Sequence, residues 1–175
     1  LKDKTVKGMM WSAVDRFSAQ GIQFVFSILI ARLLVPEDYG IIAMLGIFLA
    51  VSQTFIDSGF GTALIRKIDR TEEDFSTVFY FNIVVAVFLY LVLFFLAPII
   101  AGFYDTPLLE PITKVISLSL IISSLSGIHN SKLSISLDFK SKAKASIISA
   151  LLTGFVGLWM AYSGYGVWAL VAQSL

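Results

Sequence analysis

The chain has 175 residues, of which 57% are hydrophobic and only 14% charged, with a formal net charge of +1. So apolar a composition does not belong to a soluble core of this size. The near-neutral charge gives no footing to nucleic acid, and the lack of cysteine excludes disulfides and thiolate metal sites.

A hydrocarbon slab about 30 Å thick takes about 20 apolar residues per helical crossing. The first such run covers residues 9–34. Lys2, Lys4 and Lys7 ahead of it give the look of a signal peptide. The run is too long for one, however, holds Asp15, Arg16, Gln20 and Gln23, and has no small-residue cleavage site after it, so it reads as a retained span. Pro36, Glu37 and Asp38 suit a helix start, where the missing N–H of proline is harmless and carboxylates meet the positive end of the dipole. They introduce a second span over 39–62. Thr71 with Asp74 resembles a capping box leading into a third, 77–102. Thr106, Pro107 and Glu110 repeat the start signature before a fourth, 112–137. A fifth covers 146–164, and a sixth begins near Tyr165 and is cut off at Leu175. The loops are short, so no soluble domain is inserted, and the chain is expected to be the N-terminal part of a longer protein. Strands do not compete: 79–96 is continuously apolar apart from Asn82 and two tyrosines, Tyr80 and Tyr90, where a membrane barrel would alternate within segments of about ten residues. The expected fold is all-α, a polytopic transmembrane helix bundle.

Basic residues fall into every second gap. Lys2, Lys4 and Lys7 precede the first span, Arg66, Lys67 and Arg70 separate the second from the third, and Lys140, Lys142 and Lys144 separate the fourth from the fifth: nine of the 13 lysines and arginines. Lys114 and Arg32 depart from the alternation. Cytoplasmic loops are the basic ones, which places the N-terminus inside.

Polar residues within spans decide what such a bundle does, because charge at membrane depth is costly and faces protein or water. Ser12, Arg16, Gln20, Gln23 and Ser27 project within a sector of roughly 80°. Either they hydrogen-bond neighbouring helices or they line a water-filled cavity, and an arginine is unusual in the first role. Arg16 lies roughly 10 Å into the membrane, while Asp57 and Lys132 lie roughly 8 Å from the same surface at 1.5 Å per residue. Asn82 falls at a similar depth. The sharper reading is an inward-facing cationic site in which Arg16 binds a diphosphate through its forked donors, with Asp57 holding Arg16 when no ligand is there. The plainer readings are a snorkelling Lys132 and an Asp57 that shapes the end of its helix. Asp15 points about 100° away from the stripe and pairs with a neighbouring helix or lysine.

The fourth span is rich in serine, and Ser119, Ser123, Ser126, Asn130 and Ser134 keep helical spacing on one side. Close helix packing is the simpler explanation, a route for sugar the other. His129 reads as a structural histidine before a proton-coupling one. No paired-carboxylate, metal-ligand or nucleophile–base constellation appears and no glycine loop to cradle phosphate, so neither an enzyme nor a cofactor is expected.

Several runs resemble the polysaccharide-transporter branch of the multidrug/oligosaccharidyl-lipid/polysaccharide exporter superfamily, the O-antigen flippases and their relatives. They are ILIARLLVPEDYG at 28–40, FIDSGFGTALIR at 55–66, STVFYFN at 76–82, APIIAGFY at 97–104, LDFK at 137–140 and GYGVWAL at 164–170. Arg32, Pro36, Glu37, Asp38, Gly40, Asp57 and Gly59 sit in these motifs and read as residues that shape loops and helix ends; Val35 stands where relatives often carry glycine. Arg16 lies outside the motifs. The resemblance implies a MATE-like transporter of two six-helix lobes around a central cavity, of which this chain is the N-terminal lobe. It implies alternating access that moves undecaprenyl-diphosphate-linked oligosaccharide from the cytoplasmic to the periplasmic leaflet. A proton or sodium ion as coupling ion and polysaccharide polymerase machinery as partner are implied in the same way. Arg16 with Lys132 would attract the diphosphate, and Gln20, Gln23 and the span-four serines the sugar. Two alternatives stand beside this: a multidrug or cation antiporter of the same superfamily, which favours an acidic, aromatic cavity, and a non-transporting membrane partner of a polysaccharide synthase. A membrane glycosyltransferase is disfavoured by the lack of a sizeable polar loop.

Overall fold

Proline, acidic residues and glycine set most of the helix ends in the computed structural model, which describes residues 2–56, 71–135 and 139–175. Its elements are α1 (Lys2–Ala31), α2 (Pro36–Ile56), α3 (Glu72–Phe103), α4 (Leu109–Ile116), α5 (Leu118–Ile135), α6 (Phe139–Tyr162) and α7 (Val167–Ser174), with no strand among the described residues. Helix α2 starts on Pro36 with Glu37 and Asp38 in its first turn, and α3 starts directly after Thr71, both as the sequence predicts. The N–H groups of Gly164 and Tyr165 donate to the carbonyls of Ala161 (3.2 Å) and Met160 (3.1 Å) at the end of α6, with Gly164 at φ +81°. This is the double bond that closes helices on a left-handed residue. Helix α3 closes in the same way on Asp105, φ +49°, whose short polar side chain tolerates that backbone.

Three boundaries differ from the sequence reading. Helix α4 begins two residues past Pro107, because the N–H groups of Leu109 and Glu110 bond back to Thr106 (3.0 Å) and Pro107 (3.2 Å) in a tighter turn. The fourth span is interrupted at Ser117. There Thr113 Oγ1 donates to the carbonyl of Leu109 (2.6 Å) and Ser117 Oγ to that of Lys114 (3.2 Å), and such hydroxyl bonds compete with the helical ladder. Helix α6 begins at Phe139 rather than Ser146, so Lys140, Lys142 and Lys144 belong to its first two turns.

Four helical stretches are long and apolar enough to cross a membrane: Pro36–Ile56, Ser76–Phe103, Leu109–Gly127 and Lys140–Tyr162. Helix α1, with 30 residues, is about 45 Å long at 1.5 Å per residue. It is the least apolar of the long helices.

The chain divides into two compact units. The first holds Leu1–Tyr39 and Asn130–Ser174, hence α1, α6 and α7. Lys140 Nζ lies 5.9 Å from the centre of the Trp11 ring, and the rings of Phe26 and Phe155 meet edge-on at 5.1 Å. A Cβ on Gly157 would lie 3.3 Å from Ile30 Cδ1. Partners along α1 and α6 thus advance together, and the helices run parallel. Parallel packing puts the N-terminal ends of α1 and α6, which carry two of the basic clusters, at one end of the unit. The seam on α6 is made of Ala143, Ala150, Gly154, Gly157 and Ala161, all buried, the small-residue face that lets helices approach closely in lipid. A Cβ on Gly154 would come within 2.6 Å of Phe26 Cε2, and one on Gly157 within 3.3 Å of the Ala169 carbonyl of α7. At Gly166, φ +55°, it would lie 3.4 Å from Asp38 Oδ1. Asp38 thereby stands beside the start of α7 as well as in the first turn of α2, a favourable place for a carboxylate twice over.

The second unit holds Gly40–His129. Ile56, Ala86, Leu93 and Leu120 form its core with Phe48, Leu49, Val85 and Leu89 packed against them. The opposite side of α3 exposes Tyr80, Val84, Phe88, Phe95, Ile99 and Phe103. Lys114, which departs from the alternation of basic gaps, is neutralised locally: its Nζ lies 2.6 Å from Glu110 Oε1 and 5.0 Å from the centre of the Phe94 ring.

Candidate functional site: a polar flank on the first helix

Helix α1 has three faces. Its packed face carries Asp15, Ala19, Ile22, Phe26 and Ile30, the last two buried to 7% and 0% exposure. A second face exposes Met10, Val14, Phe17, Phe24 and Ile28. Between them, about 80° round from the packed face at 100° per residue, Arg16, Gln20, Gln23 and Ser27 are all exposed. The structure therefore brings together the three α1 residues that the helical spacing selected, on a flank that neither α6 nor α7 covers. A guanidinium followed at one-turn intervals by two amides and a hydroxyl is a ladder of hydrogen-bonding groups. Its charged end suits phosphate and its neutral end suits hydroxyl groups.

The remaining candidates are placed differently. Asn82 lies in the second unit, on the packed side of α3 with Ala86 and Leu93. Its Oδ1 is buried with no hydrogen-bond partner among the described residues. Asp57 lies outside the described residues, and so therefore does its pairing with Arg16. Lys132 and His129 belong to α5, and their side chains too lie outside the described residues, as does that of Ser12. In the upper part of α5, Ser123 and Ser126 are exposed. Among the described residues of the fourth span the buried serines are Ser117 and Ser124, and Ser124 Oγ donates to the carbonyl of Ile121 at 2.8 Å. Asp15, which the spacing turned away from the stripe, sits at the α1–α6 seam with Oδ1 buried and no partner among the described residues.

The sequence reading missed the first two turns of α6. By ending the loop at Ser146 it left Lys142 outside the helix, although Lys142, Ser146, Ser149 and Thr153 keep the four-three-four spacing of one helical side.

Fold and flank together define a multi-pass, all-α membrane protein with a hydrophilic strip on one of its helices. The chain belongs to the polysaccharide biosynthesis protein family, which it matches over residues 29–175. It is 28% identical over 148 residues to the teichuronic acid biosynthesis protein TuaB of Bacillus subtilis, covering 85% of this chain and 31% of that protein. It is 27% identical over 171 residues to the succinoglycan biosynthesis transport protein ExoT of Rhizobium meliloti, covering 97% and 35%. It is 23% identical over 155 residues to the lipopolysaccharide biosynthesis protein WzxC of Escherichia coli, covering 89% and 31%. The chain thus spans about a third of the length of the curated relatives it matches. No solved structure matches it.

Proposed function

We propose that the protein exports polysaccharide precursors, flipping an undecaprenyl-diphosphate-linked oligosaccharide from the cytoplasmic to the periplasmic leaflet of a bacterial inner membrane, as a transporter and not an enzyme. The observation that carries this reading is the uncovered flank of Arg16, Gln20, Gln23 and Ser27 on a helix whose other faces are packed or apolar. An arginine at the centre of a membrane helix costs about 2.5–3.5 kcal/mol on insertion scales, and one roughly 10 Å in, like Arg16, costs part of that, so an uncovered one calls for water or an anion. The guanidinium fork takes two phosphate oxygens at once, and the amides donate to and accept from sugar hydroxyls. The polyprenyl tail stays in lipid while the headgroup crosses along the flank, and rocking of two lobes opens it to either side in turn. The N-terminus is cytoplasmic, at the basic end of the first unit. A proton or sodium gradient drives the cycle, and a polysaccharide polymerase receives the product.

The family and the printed names of ExoT and WzxC support polysaccharide transport. The multidrug-antiporter alternative expects an acidic, aromatic cavity, and the exposed flank of α1 carries a cation instead. The test is replacement of the natural gene product by its Arg16→Ala variant in a polysaccharide-producing strain. Surface polysaccharide is expected to fall by about tenfold or more, since a hydrogen bond to a charged group contributes about 1.5–3 kcal/mol. Undiminished surface polysaccharide at equal membrane levels overturns the reading.

A further inference from the structure

Helices α1 and α6 are parallel, so residues advance round both axes in the same sense when the pair is viewed from one end, and their contact faces point at each other. On α1 the contact face centres on Asp15, Ala19, Ile22, Phe26 and Ile30, and the polar flank lies about 80° ahead of it at 100° per residue. On α6 the contact face centres on Ala143, Ala150, Gly154, Gly157 and Ala161. Lys142, Ser146, Ser149 and Thr153 lie about 80° behind that face by the same count. Ahead on one helix and behind on its opposed neighbour is the same side of the pair. The two polar strips therefore border one groove, and the other side of the pair carries Trp11, Leu151, Phe155 and Tyr162, all exposed.

The register fixes the levels. Trp11 meets Lys140, Phe26 meets Gly154 and Ile30 meets Gly157, so Arg16 stands level with Lys144, and Lys142 lies about 3 Å below it along the axis. Ser146 falls between Arg16 and Gln20, Ser149 between Gln20 and Gln23, and Thr153 between Gln23 and Ser27. The three lysines at the start of α6 separate by direction. Lys140 turns to the opposite side, over Trp11, and Lys144 turns there too by helical count. Only Lys142 stands on the side of Arg16, and it alone of the three is partly buried.

We infer that Lys142 is a second cation for the diphosphate, and that Ser146, Ser149 and Thr153 are the second wall of the sugar path, facing Gln20, Gln23 and Ser27. This rests on the proposed function and names further residues of the same site. Helix axes in contact lie about 8–10 Å apart, within reach of one arginine and one lysine extended toward a shared group. Two cations at adjacent levels match the two phosphates of a diphosphate. Neutral hydroxyls and amides beyond them match an uncharged glycan and leave no deep charge well to trap it.

The test measures binding of farnesyl diphosphate, with farnesol for comparison, to the purified natural gene product in lipid nanodiscs. The wild type is expected to prefer the diphosphate. Lys142→Gln should weaken binding about tenfold, the size of one charge-assisted hydrogen bond. Lys142→Arg should restore it, and Lys140→Gln, on the far side, should leave it within about twofold of wild type by the same conversion. Equal effects of Lys142→Gln and Lys140→Gln overturn the assignment of Lys142. If Arg16→Gln still weakens binding in that case, the proposed function stands without this extension. A wild type that does not distinguish diphosphate from alcohol overturns both.

Discussion

From Ile83 onward helix α3 is apolar both where it packs and where it is exposed: Ala86, Leu93 and Ala97 are buried against protein, while Phe88, Phe95 and Phe103 are exposed. Helix α1 is also largely exposed, yet its exposed surface splits into an apolar face with Phe17 and Phe24 and a polar one with Arg16, Gln20 and Gln23. A helix that only separates protein from lipid needs the first arrangement. The second is costly in lipid and is kept where it meets water or a ligand. The packing differs as well. The second unit fills its core with Leu and Ile side chains around Leu93 and Leu120, whereas the first brings α1 and α6 together over glycine and alanine. Small residues at the seam bring the two backbones close, and by helical count the residues flanking it are polar on one side and apolar, with Trp11 and Leu151, on the other.

The largest expected effect is on this seam. Gly154→Leu drives a side chain into the Phe26 ring, and its cost lies at or above the top of the about 1–3 kcal/mol typical of overpacking. Loss of the monodisperse species in detergent chromatography checks it. Next, the segment of α1 alone, in a membrane-insertion assay, should insert less completely than the segment of α3. On the proposed function, Arg16→Leu should favour its insertion by up to about 3 kcal/mol while reducing export. A smaller effect is expected at Gly164, where φ is +81°: Gly164→Ala should cost about 1–2 kcal/mol for the left-handed backbone, read as a lower midpoint of thermal unfolding. The smallest is expected in the second unit, where Glu110→Gln removes the partly exposed pair with Lys114 and should cost about 0.5 kcal/mol, diminishing with added salt.

Helix α1 and its flank were readable because the spacing of Arg16, Gln20 and Gln23 stands out against an apolar background. The starts at Pro36 and Glu72 were readable because proline, carboxylates and Thr71 act locally. The start of α6 was not, because three lysines in five residues look like loop, although lysine is a good helix former and no glycine or proline intervenes between Phe139 and Ser146. That one misplaced boundary hid Lys142 and with it the second strip. The break at Ser117 depends on which carbonyls the Thr113 and Ser117 hydroxyls choose, and composition does not record that choice. The family resemblance was readable from motifs such as ILIARLLVPEDYG at 28–40, which holds the start of α2. Asp38 beside Gly166 shows how such a motif residue serves packing.

This chain has no cysteine, which gives the flank a direct test. Gln23→Cys, Ser149→Cys, Phe24→Cys and Phe155→Cys are introduced singly into the natural gene product stripped of any other thiol, in native membranes. Each is exposed to a charged, water-soluble thiosulfonate reagent. The cysteines at 23 and 149 should be modified to completion while those at 24 and 155 stay unmodified. Modification of 24 and 155 with 23 and 149 untouched would mean that the polar strips are not water-lined, and would contradict the account.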